Sequence, residues 1–228
     1  MKKRILLLFT LLIVGVLAAG CGLMQAPEEA SAPIEAIPVA DSAEGTAAGD
    51  SATTFTISPE GSQVRFELDE DLRGNRITVV GTTDQVAGQI VADLSNLASA
   101  QAGVIQINAR TLATDNDFRN RALSNEILDT GDYEFITFTP TAVNGLPASI
   151  SAGDSVEFTI DGDLTIRDTT APVTFTVVAT AVSDTQLQGT ASATITRTAF
   201  GLTIPSVPSV ANVEEEVELY IDFTANAS

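Results

Sequence analysis

Val217-Glu218-Leu219-Tyr220-Ile221-Asp222-Phe223 alternates apolar and polar side chains without a break. Successive side chains of an extended chain point to opposite faces. One face here is therefore Val217, Leu219, Ile221 and Phe223, and the other is Glu218, Tyr220 and Asp222. A strand with one dry and one wet face belongs to an antiparallel sheet covered on one side. The same period recurs upstream. Val64, Phe66 and Leu68 alternate with Arg65, Glu67 and Asp69, and Ile105, Ile107 and Ala109 with Gln106, Asn108 and Arg110. Val156, Phe158 and Ile160 alternate with Glu157, Thr159 and Asp161. Val173, Phe175, Val177 and Ala179 form a further row, and Leu187, Gly189, Ala191, Ala193 and Ile195 another. Turn-forming residues separate the runs: Asp71 to Asn75, Asn144-Gly145-Leu146-Pro147, Ala152-Gly153-Asp154 and Ser183-Asp184. The expected domain is all-β, with about eight strands, the number at which a closed antiparallel barrel can hold one small ligand.

One segment, Thr114 to Leu128, breaks the period. Asp115 or Asp117 can cap a helix there, and Phe118, Ala122 and Leu123 fall on one helical face with Ile127 a turn further on. The spacing predicts a short helix over one end of the barrel. An outer-membrane barrel is disfavoured, because such barrels turn apolar residues outward and ring themselves with aromatics. Only 5% of this chain is aromatic.

The chemistry available is narrow. The chain has no His, and its two lysines, Lys2 and Lys3, lie at the extreme N-terminus. The commonest general base, the Ser-His-Asp and Cys-His arrangements and a Schiff-base lysine are therefore missing from the domain. A single Cys makes neither an intrachain disulfide nor a thiolate cluster. No catalytic residue, metal site or cofactor is assigned, and an enzyme is not expected. Asp115 with Asp117, and Asp161 with Asp163, do not follow the EF-hand spacing and read as turn or strand residues. Thirty acidic residues against eleven basic ones give a net charge of −19. Such a surface repels nucleic acid and anionic headgroups. It fits either plain solubility or a high-salt habitat.

Residues 1–20 read as an export signal. Lys2, Lys3 and Arg4 precede an apolar run from Ile5 to Ala19, which is shorter than the roughly 20 residues of a transmembrane helix. Leu17-Ala18-Ala19-Gly20-Cys21 resembles a lipobox, with Ala18 where Leu is usual. That resemblance implies acylation of Cys21 and a membrane anchor outside the cytoplasm, in the periplasm or at the cell surface. Residues 21–53, rich in Ala, Pro, Ser, Glu and Gly, read as a disordered tether. The folded domain is expected over 54–228.

Several segments of that domain carry a resemblance. These are Ser62-Gln63-Val64-Arg65-Phe66, then Val80-Gly81 with Ala87-Gly88-Gln89-Ile90, and Arg119 with Ala122-Leu123 before Tyr133-Glu134-Phe135-Ile136-Thr137-Phe138. Gly162-Asp163-Leu164-Thr165-Ile166-Arg167 with Thr170, Pro172 and Val173, and Arg197-Thr198-Ala199-Phe200-Gly201-Leu202, complete the set. In their order and spacing they resemble the YceI-like lipid/polyisoprenoid-binding family. The chain departs from the family pattern at Glu134, Asp168, Ala171 and Thr196, where Pro, Gly, Lys and Asp are usual. The resemblance implies an extended lipocalin-like antiparallel barrel that holds a polyisoprenoid, quinone-like or fatty chain, and a homodimer is compatible with it.

The lumen-lining candidates, taken from the apolar rows and the segments that carry the resemblance, are Phe66, Ile90, Ile105, Ile107, Phe138, Val156, Phe158, Ile160, Leu164, Ile166, Phe175, Val177, Ile195, Leu219, Ile221 and Phe223. An inward apolar row serves a barrel filled by its own side chains equally well, so a lipid carrier and a filled surface-displayed module share this pattern. The small residues Gly189, Ala191 and Ala193 either leave room for a chain or seat a large neighbour. Arg167 and Arg197 either meet a headgroup or make structural ion pairs, the latter being the favoured reading, and Arg119 and Arg121 are expected to be solvated.

Overall fold

The computed structural model describes residues 25–39 and 51–228. The expected signal segment and Cys21 lie outside the described residues, as do residues 40–50 of the expected tether. Thirteen strand segments make one antiparallel sheet. They are β1 (Thr53–Ile57), β2 (Gln63–Leu72), β3 (Asn75–Thr83), β4 (Val86–Ala87), β5 (Gln89–Asp93), β6 (Asn96–Ala102) and β7 (Ile105–Asn108), followed by β8 (Phe135–Asn144), β9 (Ser155–Ile166), β10 (Thr169–Ser183), β11 (Gln186–Thr196), β12 (Val210–Ala211) and β13 (Glu216–Ala227).

The extra segments are interruptions of longer strands. β13 pairs through Ala225–Ala227 with β1 and through Glu218–Asp222 with β2, so β1 and β2 share one position in the sheet. On the far side of that position β5 pairs with β1 and β3 with β2. β6 and β7 follow, paired with β5 and β4. From β7 the ladder runs through β8, β9, β10 and β11 back to β13. The sheet thus curls into a barrel of eight strand positions, with β12 a short addition on β2.

The core is the inside of that curl. Phe55, Ile57, Phe138, Leu164, Phe175, Val177, Ile221 and Phe223 are buried there. Their alternation with polar neighbours is what lets one face dry while the other stays wet. Three glycines seat rings on neighbouring strands. A Cβ on Gly81 would collide with Phe66, one on Gly162 would stand 2.5 Å from Cζ of Phe138, and one on Gly189 would stand 2.8 Å from Cζ of Phe223. Gly189 lies directly across from Phe223 in the ladder, so this small residue accommodates a large neighbour.

The helical segment differs from its expected form. α1 (Asp117–Ala122) is a single short helix, and one π turn over Leu123–Ile127 follows it. Its cap is Asn116, whose side chain accepts from the amides of Phe118 and Arg119. Asp115 is instead drawn to Arg119, 2.7 Å away. Phe118 is 76% exposed while Ala122, Leu123 and Ile127 are buried. A six-residue helix crossing an open end has nothing packed above its first turn, so a residue that shares a helical face with Ala122 still projects outward.

The expected tether is in part attached. The amide of Ser31 donates to Glu134, that of Val39 to Gln89, and Asn125 donates to the carbonyl of Gln25. Arg110 binds the Glu29 carbonyl and pairs with Glu28 at 2.9 Å. Ile34 is buried. Residues 25–39 therefore run along the barrel, because their acids and free amides meet complementary groups there. Among the described residues no helix is long and apolar enough to cross a membrane.

Candidate functional site

Among the described residues, two cavities lie in the lumen. The larger, about 640 Å³, lies toward the end that carries α1, the β2–β3 hairpin and the Leu202–Val213 segment. The smaller, about 120 Å³, lies toward the other end, against Leu94, Leu146, Ile150 and Ala181. Of the sixteen lumen candidates, Phe66, Ile107, Leu164, Ile166, Ile195 and Leu219 stand on the wall of the larger cavity. Ile90, Ile105, Val156, Phe158, Ile160, Val177 and Phe223 stand on the wall of the smaller, and Phe138, Phe175 and Ile221 border both. The parity of each strand brings them together, since an inward residue on one strand faces inward residues on its neighbours.

The mouth of the larger cavity is built by parts that parity does not reach. Leu202, Ile204, Pro205 and Val207 come from the segment after β11 and cover one side. Leu123, Ile127 and Leu128 of the π turn cover another. Leu123 and Ile127 are signalled by their helical spacing, whereas Leu202, Ile204, Pro205 and Val207 have no period of their own and only their apolar character in a connecting segment signals them.

Charge is present at this mouth. The inward row of β2, Val64, Phe66 and Leu68, continues to Glu70, which is 6% exposed. Arg119 of α1 meets it at 3.1 Å and Asp115 at 2.7 Å. Arg119 is therefore half-buried and paired instead of solvated; burial makes each partner depend on the other. Arg197 also borders the cavity and pairs with Glu215 at 3.1 Å, while donating to the Glu214 carbonyl at 2.7 Å. The side-chain hydroxyl and amide of Thr198, with Arg197, hold the Glu215 carboxyl below the usual carboxylate range. Arg167 differs from the expected ion pair. It donates to the Ile127 carbonyl at 3.4 Å and lies over the Tyr133 ring at 5.8 Å, and among the described residues no carboxylate is within 4.0 Å of it.

No group of three His, Cys, Asp or Glu side chains that could hold a metal ion occurs among the described residues. Asp161 is occupied by Thr174 and Asn144 on neighbouring strands. The arrangement can shelter an apolar chain and meet a polar group at one end.

The YceI-like domain profile matches residues 55–225. A polyisoprenoid-binding domain from Saccharophagus degradans, described as implicated in plant cell wall breakdown, superposes with a TM-score of 0.63 at 14% identity, covering 77% of this chain and 99% of that one. BcnA of Burkholderia cenocepacia superposes with a TM-score of 0.59 at 19% identity, over 75% and 99% of the two chains. The YceI protein of Campylobacter jejuni gives 0.52 at 17% identity, over 65% and 84%. No curated protein matches this chain. At these identities the neighbours speak for the fold, and the profile spans the whole barrel. The chain belongs to the YceI-like domain family.

Proposed function

We propose that the chain binds a long-chain apolar lipid (a polyisoprenoid, a quinone-like molecule or a fatty acid) in its lumen. It carries or sequesters that lipid while tethered through Cys21 to a membrane outside the cytoplasm. The cavity of about 640 Å³ carries this reading. Each methylene moved from water to such a wall gains about 0.8 kcal/mol, so affinity comes from area with few polar contacts. A module filled by its own side chains would leave no chamber of that size. The polyisoprenoid-binding domain that shares the fold supports the ligand class, and the lack of His and of any Lys after Lys3 supports binding over catalysis.

Tethering is supported by the apolar run that ends at Cys21. Gln25, held by Asn125 beside the π turn, lies four residues further on. Four residues reach at most about 14 Å, so the anchored chain would keep the cavity mouth close to the bilayer. Exposed Phe118 and Val207 on the rim would then stand nearest the lipid from which cargo enters.

The test is mass spectrometry of the full chain, expressed with its leader and purified in detergent. Expected are an acyl mass increment that Cys21→Ala removes, and a noncovalent adduct that extracts as a prenol, quinone or fatty acid. A clean mass, unchanged after incubation with those three lipid classes, sinks the carrier reading in favour of the filled module. The same native spectrum reads the homodimer, which requires twice the chain mass.

A further inference from the structure

The lumen is divided. Phe138 and Phe175 meet edge to face with ring centroids 4.8 Å apart and planes at 69°, and each is 3% exposed. With Ile221 they form the one wall that both cavities share. Gly162 of β9 fixes the Phe138 ring against bare backbone, because a Cβ there would stand 2.5 Å from Cζ and 2.6 Å from the Thr139 carbonyl. The ring thus has a seat that a larger residue would deny it.

The larger cavity is also polarised along its length. Glu70, Arg73, Thr114, Asn116 and Arg119 border it at the mouth, while Ile107 and Leu164 border it toward the two rings. Arg73 sits in the β2–β3 turn, exposed, with φ of 53°. Among the described residues no carboxylate lies within 4.0 Å of it, so it has a donor to offer a head group. An amphiphile entering here puts its tail inward, where it ends on Phe138 and Phe175.

We infer that this barrel selects its lipid by chain length, with the Phe138–Phe175 pair as the stop; the inference rests on the lipid-binding reading above. A heavy atom's share of liquid volume is about 30 Å³, so a chamber of about 640 Å³ suits a chain on the order of 20 carbons. The chamber beyond the stop, about 120 Å³, has room for about four more. The ligand class is therefore a single-tailed amphiphile on the order of 20 carbons, and chains that outrun the stop leave their excess in water.

The experiment is a dissociation-constant series on the full chain with straight-chain fatty acids from about 12 to about 30 carbons, for which each buried methylene strengthens binding about fourfold. Expected is a steady gain up to about 20 carbons and a plateau beyond it. Phe138→Ala joins the chambers and moves the plateau out by several carbons. Phe175→Leu, a milder opening of the same wall, moves it by fewer and serves should Phe138→Ala not fold. A gain that continues past the expected plateau in the unmodified chain, or a plateau that neither variant moves, overturns the length stop while leaving lipid binding intact. No binding at any length overturns the length stop, and if prenols and quinones also fail to bind, the lipid-binding reading falls with it.

Discussion

Glu70 is a carboxylate on an inward row, between Leu68 and Leu72 of β2. Among the described residues Arg119 is the cation that makes that position tolerable, and the pair sits where the cavity opens. Removing Arg119 leaves a buried charge without its cation. A fully buried pair broken in this way costs about 3–5 kcal/mol. Because the Arg119 side chain is 20% exposed, solvent screens part of that, and Arg119→Met should cost about 2 kcal/mol. In a chain of this size that is a fall of about 6 °C in Tm. Glu70→Gln in the same background should restore part of it, since the orphaned charge is then gone. Equal Tm values for the single and the double variant would show that the two side chains are uncoupled.

At the scale of elements, the docked N-terminal segment is the feature with its own chemistry. It is held where Glu134 stands in place of the usual family proline. Burial pushes the Glu134 carboxyl up, but the amide and hydroxyl of Ser31, the Asn108 amide and the Arg110 guanidinium outweigh it, and the carboxyl lies below the usual range. A carboxyl lowered by folding adds stability above its unfolded value, about 4.3. That stability is lost as pH falls through the folded value. Residues 25–39 should therefore stay docked at neutral pH and loosen in acid, while the barrel holds. Hydrogen exchange across those residues, corrected for the intrinsic pH dependence, should show protection falling below about pH 4. Glu134→Gln should show the loosened state already at pH 7. Protection that is the same at both pH values and in the variant would mean that Glu134 does not hold the segment.

At the scale of the molecule, residues 54–228 carry 24 acidic side chains against eight arginines and no lysine, so a net charge of −16 is spread over the barrel. Like charges on a closed surface repel one another and weaken the compact state. Raising salt from about 0.1 M to about 1 M shortens the screening length from about 10 Å to about 3 Å. Tm should then rise by about 5 °C as that repulsion is screened. A Tm that is flat or falling over the same range would show that the acids are offset locally, as Arg76 does for Asp69 and Asp71. A rise would suit the high-salt reading of the composition.

Strand period, inward rows and turn positions were legible in the sequence because side-chain alternation is a local property of an extended chain, independent of what packs above it. Parity therefore pointed the apolar rows of the long strands inward, and the order of motifs pointed to the family and added Ile90, Phe138, Leu164 and Ile166 to the candidates. Contacts between distant residues were not legible. Glu70 and Arg119 are 49 positions apart, and Ser31 and Glu134 are 103. Nothing in the sequence of either partner specifies the other. The outward turn of Phe118, the choice of Asn116 as cap, the docking of residues 25–39 and the division of the lumen by Phe138 and Phe175 were decided only by tertiary packing. Each depends on which surface another part of the chain leaves open, and that is fixed only once the barrel has closed.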